Sequence, residues 1–157
     1  MLVRPIAPTD EEAYRTILET TTAEDRYCRF FHLVDHFDSE EVHRFVEDRA
    51  DTIGVIAFDG TVPLGAAHAV LLDEESAELA IVVARGTRHV GVGTALLDAL
   101  IERVKARGLR RLVACALCEN SAFVHLARHA GFHVDEVDGA TQHWVLQLDV
   151  DNEAPAQ

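Results

Sequence analysis

A chain of 157 residues, 48% hydrophobic and 26% charged, is long enough for one domain that removes roughly 70% of its unfolded surface from water, and too short for a second. Its formal net charge of −13 repels nucleic-acid phosphates and anionic lipid and favours a cationic substrate or a basic protein patch, although carboxylates also serve plain solubility. No apolar run is long enough to span a membrane, Met1-Leu2-Val3-Arg4 does not open a signal peptide, and three cysteines without an export signal point to reduced thiols, so a cytoplasmic location is expected.

Residues 1–149 are expected to form the domain, with 150–157 as a flexible acidic tail. Residues 2–6 read as a first strand. Pro8-Thr9-Asp10-Glu11-Glu12 then opens a helix to about Glu19, with Thr9 as N-cap and acidic residues in the first turn. Residues 26–31 form a short amphipathic segment, and Asp38-Ser39-Glu40-Glu41 starts a helix carrying Val42, Phe45 and Val46 on one face. An antiparallel meander is predicted next, with strands at 52–58, 62–72 and 76–84 joined by Asp59-Gly60 and Asp73-Glu74-Glu75. Val92, Ala95, Leu96, Ala99, Leu100 and Val104 recur at helical spacing within 93–107, and Gly108 ends that helix. A buried strand at 109–118, a helix at 121–130, and strands at 132–137 and 141–149 complete the domain.

The run Arg88-His89-Val90-Gly91-Val92-Gly93 joins an apolar strand to an amphipathic helix, which is the arrangement of a phosphate cradle. Two glycines let the backbone approach an anion, the first-turn N–H groups point at it, and the helix dipole adds partial positive charge. The spacing RxxGxG at Arg88, Gly91 and Gly93, with the later run 120–132 from Asn120 to Gly131-Phe132, resembles the GNAT N-acetyltransferase superfamily over essentially residues 2–149. That resemblance implies an α/β GNAT fold, a mixed and mostly antiparallel sheet flanked by helices, with acetyl-CoA entering a splay between the strands at 76–84 and 109–118. It assigns the pyrophosphate to Arg88, His89, Val90, Gly91, Val92, Gly93 and Thr94, and the pantetheine arm to the backbone of Ile81, Val82 and Val83. Asn120 joins them as a cofactor-binding residue, a backbone N–H near Val82 polarises the thioester carbonyl, and no metal is implied.

Amine acetylation requires the removal of a proton, because a lysine ammonium of pKa about 10.4 faces a handicap of roughly 4.6 kcal/mol at neutral pH. Glu78 is the only ionisable residue inside the apolar strand before the cradle, where partial burial would raise its pKa toward the useful range. Its position matches the strand glutamate that often serves as general base in the family. The alternative is a solvated or salt-bridged strand residue. A second proton goes to the departing thiolate, and here the sequence departs from the family, because Ala127 stands where a tyrosine usually supplies it. A thiolate of pKa about 8.5 is a tolerable leaving group without that acid. Cys118, Ser121 and His125 lie nearby in sequence, and nothing distinguishes one of them.

The same departure, in Leu126-Ala127-Arg128-His129-Ala130-Gly131-Phe132, together with Asp25-Arg26-Tyr27-Cys28-Arg29-Phe30-Phe31, resembles the catalytic domain of bacterial protein lysine acetyltransferases that act on acyl-CoA synthetases. A protein lysine on such a synthetase is the acceptor this implies, for a monomer or homodimer that uses acetyl-CoA by direct transfer in a ternary complex. Small amines (polyamine, aminoglycoside or amino acid) compete as acceptors, and Ala127 keeps open a non-catalytic acyl-CoA-binding sensor. Residues 26–31 either contribute to an acceptor groove or pack Tyr27, Phe30 and Phe31 into the core. The helical pairs His32/His36 and His125/His129 lack a third ligand at a recognised spacing, so metal is not expected. Cys115 and Cys118 have redox-motif spacing but point to opposite faces of a strand, which favours buried structural cysteines.

Overall fold

The computed structural model describes residues 1–20, 42–43, 46–47, 50–86 and 91–149. Strand β1 (Leu2–Pro5) leads through a 3-10 turn (Pro8–Asp10) into helix α1 (Glu11–Glu19). The meander follows as β2 (Thr52–Asp59), β3 (Val62–Leu71) and β4 (Ser76–Val83), then α2 (Val92–Ala106), β5 (Arg111–Leu117), α3 (Ser121–Ala130), β6 (His133–Asp138) and β7 (Thr141–Gln147). The seven strands make one sheet in the order β1-β2-β3-β4-β5-β7-β6, in which β4 and β5 are parallel and every other neighbouring pair is antiparallel. The expected α/β architecture is therefore present, with element ends displaced by one or two residues. Residues 26–31, 38–41 and 150–157 lie outside the described residues, as does Phe45.

The first helix begins differently from the expectation. Asp10, not Thr9, anchors its start, because the Asp10 carboxylate accepts the Ala7 N–H at 2.8 Å while Arg4 of β1 donates to both its oxygens at 2.8 Å. A cation on the neighbouring strand draws the acidic side chain back across the turn, and the chain enters α1 through a 3-10 turn instead of a simple cap. The Arg4 guanidinium holds the Asp10 carboxyl below its ordinary range against the opposing effect of burial.

Each face of the sheet carries its own apolar layer. Leu96, Leu97, Leu100 and Val104 of α2, with Phe123 and Ala127 of α3, pack on Leu79, Leu112, Ala114 and Trp144. On the opposite face Tyr14, Ile17 and Leu18 of α1, with Val42 and Val46, cover Ile56, Ala66 and Val82. Burial of one such large apolar side chain stabilises by about 1.5–3 kcal/mol. Alternation along β4 and β5 thus assigns faces: Leu79, Leu112, Ala114 and Ala116 look toward α2 and α3, whereas Glu78, Val82, Val113 and Cys115 look toward the α1 side. Asp73 fixes the entry to β4, its Oδ1 accepting the N–H groups of Glu75 and Ser76 at 2.8 Å and the Ser76 hydroxyl at 2.9 Å.

Candidate active site

Strands β4 and β5 share only three pairs, Ser76–Arg111, Ala77–Leu112 and Glu78–Val113. Beyond Glu78 they diverge, and the gap opens into a cleft of about 610 Å³, a volume suited to a small-molecule ligand. Residues 79–85 form one wall, Cys115 and Ala116 another, and Asn120, Ala122, Phe123, His125, Leu126 and His129 of α3 a third. Gly91, Gly93 and Thr94, at the start of α2, border the same space.

The unpaired edge of β4 supplies backbone groups to this cleft. Ala84 donates its N–H to the Leu64 carbonyl on β3, and Leu72 donates to the carbonyl of Ser76, so even-numbered residues of β4 direct their backbone groups toward β3. Odd-numbered ones face β5. Past the last ladder pair it is therefore Ile81 and Val83 whose N–H and C=O groups look into the gap, whereas the Val82 backbone is turned to β3 and its side chain is buried on the α1 side. The cleft-facing N–H groups near Val82, where the carbonyl-polarising donor is expected, are therefore those of its neighbours Ile81 and Val83.

Gly91 precedes α2 at φ +86°, a left-handed conformation that glycine adopts without strain, and its carbonyl accepts the Ala95 N–H. The first-turn N–H groups of Val92, Gly93 and Thr94 have no intrahelical acceptor. A Cβ at Gly93 would meet Leu126 Cδ2 at 3.5 Å, an ordinary contact, so the protein itself leaves room there beside the cleft. An open cradle at a helix N-terminus, followed by unpaired strand backbone, suits a ligand with phosphates at one end and an amide-bearing arm. Arg88, His89 and Val90 lie outside the described residues.

Glu78 is half-buried at the closing pair of the splay, on the α1 side, and it is not itself a wall of the cleft. Across the gap stands Cys115, two residues beyond the last pair on β5. Burial, and secondarily the negative charge of Glu78, pushes its thiol above the ordinary cysteine range. Its Sγ lies 3.1 Å from Nδ1 of His143, its direct cross-strand partner on β7. Asn120 caps α3 by accepting the Phe123 N–H at 3.2 Å and also lines the cleft.

Ala127, at the tyrosine position, is fully buried in the core and does not line the cleft. Cys118 and Ser121 are exposed and do not line it either, whereas His125 does. The expectation of two buried structural cysteines fails, since Cys118 is exposed beyond the end of β5 and Cys115 faces the cleft. Arg85, Cys115 and His129 line the cleft in addition to the residues expected from the sequence. The helical spacing of His125 and His129 was a usable signal for a shared face; no group of three metal-ligating side chains stands together among the described residues.

The family model described as the acetyltransferase (GNAT) family matches residues 12–132. The chain belongs to this family. Among solved structures, the domain resembles the GNAT domain of S. lividans PAT at 25% identity over 93% of this chain and 89% of that one, with a TM-score of 0.84. It resembles the ribosomal-protein-alanine N-acetyltransferase of Brucella melitensis at 24% identity over 94% of this chain and 100% of that one, with a TM-score of 0.72. The PaiA N-acetyltransferase of Thermoplasma acidophilum, solved with coenzyme A, shares the fold at 16% identity and a TM-score of 0.75 over 94% of this chain and 98% of that one. The splay between β4 and β5 and the cradle before α2 are therefore parts of a GNAT acetyltransferase fold.

Proposed function

We propose that this GNAT domain moves the acetyl group of acetyl-CoA directly to an amine, with a protein lysine as the acceptor. The observation that carries the reading is the ladder that ends at Glu78 and leaves Ile81 and Val83 open beside an anion cradle. The first-turn N–H groups of α2, with the glycines at 91 and 93, hold the phosphates, and the family resemblance adds Arg88, His89 and Val90 to the phosphate-binding residues. Backbone groups of Ile81 and Val83 align the pantetheine arm, with Val82 and Asn120 lining its path. The bound donor supplies an acetyl thioester. A β4 backbone N–H at Ile81 stabilises negative charge on the carbonyl oxygen, and holding both reactants in the gap replaces a bimolecular encounter.

Glu78 takes the proton of the incoming amine, directly or through water, from the α1 side of the sheet. The departing thiolate leaves on the side of α2 and α3, where Ala127 provides no acid, and solvent protonates it. The likeness to the S. lividans PAT GNAT domain, with the resemblance carried by residues 25–31 and 126–132, supports a protein lysine over a small amine.

A CoA-release assay with residue-resolved mass spectrometry tests this. The expected result is acetylation of a folded acyl-CoA synthetase at one lysine, with slow or undetectable turnover of spermidine, aminoglycosides and free amino acids. Efficient turnover of a small amine without site-selective protein acetylation overturns the acceptor assignment. Tight acetyl-CoA binding with no turnover at all favours the sensor reading, which the buried Ala127 motivates.

A further inference from the structure

The cleft is lined by a nucleophile, Cys115, that the direct-transfer route leaves unused, and a base, His143, stands directly behind it on the next strand. Cys115 lines the gap, its Sγ stands 3.1 Å from His143 Nδ1, and both lie on the α1 side of the sheet, the side from which the amine approaches. A thiol within hydrogen-bond reach of an imidazole is the minimum constellation for covalent catalysis. Its position one strand across from Glu78 places it where an acceptor nucleophile must come.

We propose that Cys115 is itself an acyl acceptor, and that acetyl-CoA acetylates its sulfur when no amine occupies the gap. In this transfer His143 takes the thiol proton as Sγ attacks the thioester carbonyl. The new Sγ–carbonyl bond forms, the carbonyl bond to the CoA sulfur breaks, and the proton passes from the imidazole to the departing thiolate. One thioester and one thiol stand on each side, so no further reactant is needed and the exchange runs in both directions. The S-acetyl group then occupies the amine's place and blocks it until CoA removes it or an amine captures it.

Among the described residues Glu78 of β4 acts on the Cys115 thiol through its charge and His143 of β7 is in contact with its sulfur, with Arg111 four pairs back along β5 on the same face. Burial, and secondarily the Glu78 charge, raise the Cys115 thiol above its ordinary range and so disfavour the thiolate that alkylating agents need. Reaction therefore requires a bound thioester and the His143 base together. This makes the site selective for acyl-CoA over diffusible electrophiles.

The inference rests on the acetyl-CoA reading above, and calorimetry of CoA binding is the first measurement, for the wild type and each variant. The full chain is then incubated with acetyl-CoA and no amine, and analysed by intact and peptide mass spectrometry. One acetyl group on Cys115, labile to hydroxylamine and stripped by excess CoA, is the expected result. Cys115→Ala should lose it entirely, its CoA affinity being measured alongside because Cys115 lines the cleft, and His143→Ala should slow its formation by about a hundredfold. Iodoacetamide should label Cys115 slowly at neutral pH, and more slowly still with CoA bound. Acetyl groups confined to lysines, or none on Cys115 while CoA binds tightly, overturn the proposal. Failure to bind CoA instead removes the cosubstrate assignment on which it depends.

Discussion

Glu78 and Val113 form the last pair that β4 and β5 share, and the cleft opens directly beyond that pair. Below it the parallel ladder ties the two halves of the sheet together. Above it the strands separate, so Glu78 stands at the apex, with Cys115 on the opposite strand and the backbone of Ile81 and Val83 along the open edge.

The apex position predicts a separation of chemistry from binding. Glu78→Gln keeps the shape of the side chain but removes the proton acceptor, so kcat should fall by about two to four orders of magnitude while CoA affinity is nearly unchanged. The loss should shrink as pH rises, because more of the acceptor amine is already neutral. Steady-state kinetics across pH with calorimetry of CoA binding checks both halves, and wild-type turnover in the variant at neutral pH would move the base role elsewhere.

The cradle gives the converse case. Gly93 is not a left-handed glycine, and a Cβ there reaches only ordinary contact with Leu126 and Val83, so Gly93→Val is expected to keep the fold, which circular dichroism must show before its effect is assigned to the ligand. A branched side chain beside the first-turn N–H groups should exclude the phosphates and weaken CoA binding far more than Arg88→Ala does. Circular dichroism and calorimetry on the same samples decide this. Unchanged CoA affinity in Gly93→Val would remove the helix N-terminus from the phosphate site.

How far the sequence foretold these features depended on the range of the interaction involved. The meander was readable because strands 52–59, 62–71 and 76–83 are dense in apolar residues and broken by Asp-Gly and acidic turns, which are local signals. Glu78 was readable for the same reason, as a single charge in an apolar strand. Cys115 was not, because its partner His143 is 28 residues away in sequence and becomes its neighbour only through the β5–β7 register. The same limit hid the start of α1: Thr9 and Asp10 both offer local capping chemistry, and it is Arg4, six residues back on β1, that makes Asp10 the anchor. The direction of the Val82 backbone followed from the β3 register, which no local pattern encodes.

The Arg4–Asp10 pair makes a prediction about stability. The Asp10 side chain is nearly buried and its carboxyl is held below the ordinary range first by the hydrogen bond from Arg4, so the pair stabilises the fold when pH is above the unfolded value of about 3.9. That contribution is lost as pH falls through the depressed folded value. Asp10→Asn should therefore lower stability by about 1–3 kcal/mol at neutral pH and flatten the wild-type loss of stability at acid pH. Urea unfolding at neutral pH and below pH 4 tests it, and equal losses at both pH values would show that the charge of Asp10 does not matter.

The final prediction concerns restoring the family tyrosine. Ala127 is fully buried in the same core cluster as Phe123 and Trp144 and does not line the cleft. Ala127→Tyr should therefore bring no acid to the leaving thiolate, and should instead force a phenol ring into a filled core. Overpacking of this kind costs typically about 1–3 kcal/mol, and an unpartnered buried hydroxyl adds to it. Thermal melting should show a lowered midpoint, and kcat should not rise at any pH. An Ala127→Tyr protein of undiminished stability and higher turnover would mean that α3 can turn this position toward the cleft, and that the missing acid limits the wild-type reaction.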